Sequence, residues 1–161
     1  MFTHQTNAAE VEAFPRFLGA PLISTEVLEC RSDRVRYFVP CRQFQCRSLF
    51  LDPDTGIRIE PVEASRAPKF VFAKELIELS AARPQGLTLT FDQSLARGHE
   101  QEQIRAKLAC CAAQAVHGFA YVSHASFVVL GRSADLVKEA HEEIIGTWAL
   151  PTHRIIMLEA D

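Results

Sequence analysis

The sequence has little of what usually announces a function. Its 161 residues contain no apolar run near the roughly 18 to 20 that a membrane-spanning helix needs. The opening MFTHQTNAAEVEAF lacks the basic start and apolar centre of a signal peptide, so the expected location is the cytoplasm, with no membrane partner. Five cysteines, Cys30, Cys41, Cys46, Cys110 and Cys111, form an odd set without a CxxC pair, which argues against a disulfide framework and a zinc ribbon. Reduced thiols are expected, with Cys111 a small buried hydrophobe. The seven glycines build no Walker loop, GxGxxG or GxSxG, and no HExxH or papain-like cysteine context occurs. The common phosphate-cradling and nucleophile-elbow enzymes are thereby disfavoured. A net charge of −3 also weakens the case for a whole-surface attraction to nucleic acid.

What remains is an ordinary globular composition, 48% hydrophobic and 23% charged, sized for a single domain over 1–161. The pattern predicts a short helix over 8–18, interrupted by Pro15, and then β structure over 22–30, 34–39 and 47–52. The Asp-Pro-Asp-Thr-Gly turn at 52–56 leads into an alternating run over 57–62 and suggests a hairpin. From Ser65 a helix is expected, with Pro68 in its first turn and Phe70, Ala73 and Ile77 on one face. LTLTF at 87–91 reads as a strand.

The segment 98–131 reads as a helix passing through a glycine into a buried strand. Ile104, Leu108, Cys111 and Ala115 fall on one helical face and Gln103, Lys107 and Gln114 on the other. Gly118 is the expected left-handed residue after the last turn, with His117 in that turn facing the helix dipole. Strands follow at 119–122 and 127–130, then a helix over 134–145 capped by Ser133, and a last strand at 154–158. The expected fold is therefore α/β (α+β): an N-terminal antiparallel β meander continuing into β-α-β-α-β, with a mixed central sheet flanked by helices.

Two groups of residues are candidates for function. Between Cys30 and Phe50, Arg31, Arg34, Arg36, Arg42 and Arg47 face only one acid, Asp33, and interleave with Tyr37, Phe38, Phe44 and Phe50. Guanidinium forks hold phosphates and stack on bases, so a β surface of this composition fits a nucleic-acid backbone. In the alternative, the arginines merely alternate outward while the aromatics fill a core. The second group is acidic: Glu60 and Glu63 beside the hairpin, and Asp92 after LTLTF, could feed a divalent metal from a strand end and a loop. Asp52 and Asp54 are also what a turn prefers, and Asp92 suits a cap.

The order of elements from LTLTFDQSLARG through EQEQIRAKLACCAAQAVHGFAYVSHASF resembles the restriction-endonuclease-like core, in particular the TnsA-like transposon and phage endonucleases. In that family a Glu-x-Lys strand is followed by a loop, a helix, a glycine and a further strand. Here the Glu-x-Lys position reads Thr90-Phe91-Asp92, and no Pro-Asp strand precedes it. The resemblance thus implies a fold kept without its catalytic motif, in a bacterial or phage setting. The expectation is a small non-catalytic binding protein without a cofactor, using the arginines to engage nucleic acid or a protein partner. The alternatives are a magnesium-dependent nuclease using Glu60, Glu63 and Asp92, and a small-molecule-binding α/β protein or enzyme. Trp148 and the meander aromatics are candidates for a homo-oligomer contact.

Overall fold

Strand β4, Leu87–Asp92, organises the larger part of the molecule because its two faces differ in chemistry. Leu87 and Leu89 pack towards a core of Phe119, Val129 and Val137, while Thr88, Thr90 and Asp92 on the other face are fully buried. The structure, a computed structural model, describes residues 34–44, 46–124, 126–148 and 150–158, with positions 21, 23 and 28. The helix expected over 8–18, Arg31, and all but Ile23 and Leu28 of the strand expected over 22–30 lie outside the described residues. Contacts gather the chain into two units, Met1–Phe44 and Gln45–Asp161.

In the first unit the described residues are helical where strand was expected. Helix α1 is Arg34–Tyr37 and helix α2 is Val39–Gln43. Pro40 explains part of this, since it has no N–H for a β ladder but fits a first helical turn. Phe38 is buried and meets the Tyr37 ring edge-on at 5.2 Å, whereas Val35 is 61% exposed. The apolar-in, arginine-out alternation of a strand is therefore absent from 34–39.

The second unit holds a five-stranded mixed sheet: β1 (Ser48–Leu51), β4, β5 (His117–Tyr121), β6 (Ser126–Gly131) and β7 (Ile155–Met157). Their spatial order is β1-β4-β6-β5-β7. Strands β1 and β4 run parallel, and every other neighbouring pair is antiparallel. The expected α+β class with a mixed sheet is present, but its parallel pairing lies at the β1 edge rather than among the C-terminal strands. Helices α3 (Ala73–Ala82) and α4 (Glu100–Ala112) cover the face bearing Thr88, Thr90 and Asp92. Helix α5 (Ala134–Trp148) covers the other through Val137, Ala140 and Ile144, its first turn closed by Ser133 Oγ accepting the Leu136 N–H at 3.2 Å. Burying a side chain such as Phe119 stabilises the fold by about 1.5–3 kcal/mol.

The expected hairpin across 52–56 is not formed. Strand β2, Gly56–Arg58, pairs in parallel with β3, Phe70–Phe72, in a separate two-stranded sheet, so the turn joins two sheets. The helix expected from Ser65 begins late for a related reason. A 3-10 turn at Ala67–Lys69 takes up Pro68, the β-favouring Phe70, Val71 and Phe72 extend as β3, and α3 starts only at Ala73. Glu75 closes that start by accepting the Phe72 N–H at 2.8 Å.

At the far end of α4 the left-handed residue is Ala115, at φ 53°, and not Gly118. Arg132 Nη1 donates to the Gln114 and Ala115 carbonyls, just past the helix, at 2.6 and 3.1 Å, while the Cys111 and Ala112 carbonyls accept the N–H groups of residues 114 to 116. His117 and Gly118 lie in β5. Gly118 is required there by close approach, because a Cβ would lie 2.5 Å from both Leu130 Cδ2 and the Val129 carbonyl oxygen.

Candidate functional site

The polar face of β4 ends in a closed cluster at the carboxyl end of the parallel β1/β4 pair. Asp92, 1% exposed, receives the Lys107 ammonium on Oδ2 at 2.6 Å. Its Oδ1 accepts the Ile57 N–H at 3.2 Å, the Ser94 N–H at 3.0 Å and the Ser94 hydroxyl at 2.7 Å. Ser94 Oγ also accepts from Lys107 Nζ at 2.9 Å and lies 3.0 Å from the Ile57 carbonyl oxygen. Gly56 is what lets β2 come this close: at φ 138°, any Cβ would lie 2.1 Å from Asp92 Oδ1. A backbone bond from Gln93 N–H to the Thr55 carbonyl, 2.9 Å, reinforces the contact.

Chemically this is a clamp joining β2, β4 and α4. Both carboxylate oxygens are occupied, and the Ser94 hydroxyl is held between them and the ammonium, donating to Asp92 and accepting from Lys107. Burial pushes the Lys107 ammonium below its ordinary value, against the pull of Asp92, with the charge of Arg58 acting in the same direction as burial. The Arg58 guanidinium itself stacks over the Phe70 ring at 5.0 Å. Burial also raises the carboxyl of Asp52, just past the end of β1. Lys107 belongs to the buried face of α4 with Ile104, Leu108 and Cys111, which corrects its expected outward position.

Glu60 and Glu63, the other members of the expected metal set, are exposed in the stretch after β2. Among the described residues no group of three or more His, Cys, Asp or Glu side chains is gathered to hold a metal ion. Asp92 would have to release Lys107 or Ser94 before it could ligate one. A depression of about 530 Å³ opens at the start of α4, beside His99, Glu102 and Arg105. The Glu100 and Gly98 N–H groups hold the Glu100 carboxyl below its usual range, the direction expected for a negative charge at a helix start.

The arginines are divided between the two units. Arg34 and Arg36 lie on α1 and Arg42 on α2, while Arg47, in the larger unit, uses its carbonyl to accept the Leu87 N–H at 2.9 Å. The expected arginine-rich β surface is thus helical at Arg34, Arg36 and Arg42. Arg36 and Arg47 are exposed, Arg34 and Arg42 half-buried, and Arg31 lies outside the described residues.

Sequence reasoning missed two buried cations, Lys107 and Arg83. For Lys107 a signal existed: it stands three residues after Ile104 and four before Cys111, on their helical face. Arg83, just past α3, had no such pattern. Its Nη2 donates to Thr88 Oγ1 at 2.6 Å and to the Leu87 carbonyl at 3.2 Å, and its Nη1 to Cys46 Sγ at 3.3 Å. No helix among the described residues is long and apolar enough to cross a membrane. Comparison of the chain with protein-family models, curated proteins and solved structures finds no match.

Proposed function

We propose that this is a cytoplasmic binding protein that associates with nucleic acid through the arginine-rich segment 31–47, without catalysing a reaction. One observation carries the reading. Arg36 stands exposed on α1 next to Val35, 61% exposed, in a stretch from residue 34 to 51 that contains no carboxylate, and Phe44 in the same stretch is 39% exposed. Guanidinium groups beside exposed apolar and aromatic side chains supply the two contacts a nucleic-acid strand offers, phosphate charge and base faces. The unpaired acidity that a metal-dependent nuclease needs has no comparable support, since Asp92 is committed to Lys107, Ser94 and Ile57.

Fluorescence anisotropy with single-stranded and duplex oligonucleotides over a salt series tests this. Log affinity should fall linearly with log salt, by about 0.7 to 0.9 per phosphate contact, and Arg36→Ser should reduce the slope by about one contact. No binding at about 50 mM salt would overturn the assignment and leave a protein as the partner.

A further inference from the structure

Strand β1 stands first in the order β1-β4-β6-β5-β7, and among the described residues only β4 pairs with it. The Leu87 N–H donates to the Arg47 carbonyl, and in a parallel ladder this parity turns the backbone groups of Arg47, Leu49 and Leu51 towards β4. The N–H and C=O of Ser48 and Phe50 therefore point outward. Charge or proline usually blunts such an edge, yet Ser48–Leu51 carries neither, and Phe50 is 48% exposed. The opposite edge strand, β7, has no exposed residue. Phe50 lies beside Leu89, so its ring prolongs an apolar row that runs through Leu89 to Val129. The two ends of β1 carry opposite charge, with Arg47 before it and Asp52 and Asp54 after it. Among the described residues neither Arg47 nor Asp52 has an ion-pair partner, and Asp54 has only Lys69 at 3.8 Å.

We propose that the outer edge of β1 is the interface with a second copy of this chain, the two β1 strands pairing antiparallel about a two-fold axis normal to the sheet at Phe50. The symmetry follows from the parity. Such an axis keeps each face of the sheet on its own side, so opposed residues share a face, and the outward-pointing pair at the centre is Phe50 with its twin. Ser48 then stands opposite Asp52, and the Arg47 end of each strand meets the acidic turn of the other. A parallel arrangement would oppose like charges. The row Val129, Leu89, Phe50 continues across the axis into its own copy, and both rings are buried. One short strand and two rings make a small interface, so association is weak and concentration-dependent. This inference is independent of nucleic-acid binding, because it needs neither Arg34, Arg36 nor Arg42.

Sedimentation equilibrium of the full chain, without nucleic acid, is the deciding measurement. The mass should rise with concentration from one chain to two and stop there. A monomer at every concentration up to about 1 mM, even one that takes up an extended apolar peptide at this edge, would overturn the proposal, as would growth beyond two copies. Phe50→Lys sets two ammonium groups opposite one another and should weaken dimerisation by about tenfold or more. Phe50→Pro should do the same, because proline is tolerated where the N–H points away from the ladder and removes the edge donor. Unchanged dimerisation in both variants, with the unfolding midpoint kept, places the contact elsewhere and overturns the assignment. Should neither variant fold, the charges decide: Arg47→Glu should weaken the dimer several-fold, and Arg47→Glu combined with Asp52→Arg should restore it. A double variant that stays as weak as Arg47→Glu overturns the antiparallel pairing.

Discussion

The two ends of β4 bury a cation each and treat it differently. At the Asp92 end, Lys107 is 8% exposed and its ammonium is neutralised by a carboxylate that three further donors also address. At the Thr88 end, Arg83 is 3% exposed and, among the described residues, meets only two neutral oxygens and a sulfur. Equal burial therefore hides unequal chemistry. The first end is a closed structural joint between two sheets and a helix, and the second keeps a charge that its neighbours do not fully answer.

The strongest way to break this comparison is to remove a partner at each end. Asp92→Ala strands the Lys107 ammonium and should lower unfolding free energy by about 3–5 kcal/mol in urea denaturation. Arg83→Met removes its charge together with the side chain, strands no carboxylate and should cost about 1–2 kcal/mol. Equal losses would mean that the two ends are energetically alike. Gly56→Ala probes the fit of the joint alone: a left-handed backbone and the approach to Asp92 Oδ1 make a loss of about 1–3 kcal/mol the expected result in the same assay. A neutral outcome would show that β2 is free to withdraw from β4.

The smallest effect is alkaline and tests the buried face of α4. The Cys111 thiol is raised from 9.0 to about 12, so the unfolded chain loses this proton first. Its contribution is complete below pH 9.0 and declines as pH rises towards about 12. Lys107, lowered from 10.5, acts in the opposite sense, since the folded chain releases that proton first and gains stability up to 10.5. Denaturation midpoints between about pH 8 and 10 should therefore slope more steeply upward, or less steeply downward, in Cys111→Ala than in the unmodified chain. An identical slope would remove Cys111 from the alkaline response.

How much of this was legible depends on whether a residue's neighbours are near in sequence. Helices α4 and α5 and strands β4 and β6 were readable because their apolar periods are local, and Ser133 announced its own helix. Arg34 and Arg36 were misread because alternation with Val35 and Tyr37 fits a strand by pattern, while Pro40 favours a helical start. The hairpin at 52–56 failed because the Ile57 N–H is taken by Asp92, 35 residues away, a partner no local rule names. Lys107 was placed outward by its charge, although its spacing from Ile104 and Cys111 put it inside.

The amino-acid sequence by itself determined an α+β chain with amphipathic helices, a strand at β4, and an acid-free stretch from Arg34 to Leu51. Those features are set within a few residues by side-chain period and backbone propensity. Only the tertiary structure decided that β1 joins β4 while β2 leaves for a second sheet, that Asp92 answers Lys107, and that Arg83 turns to Cys46. The reason is physical: a buried charge must find its partners in three dimensions, and the groups that come within 3.3 Å of Arg83 and Lys107 include a sulfur 37 residues away and a carboxylate 15 residues away.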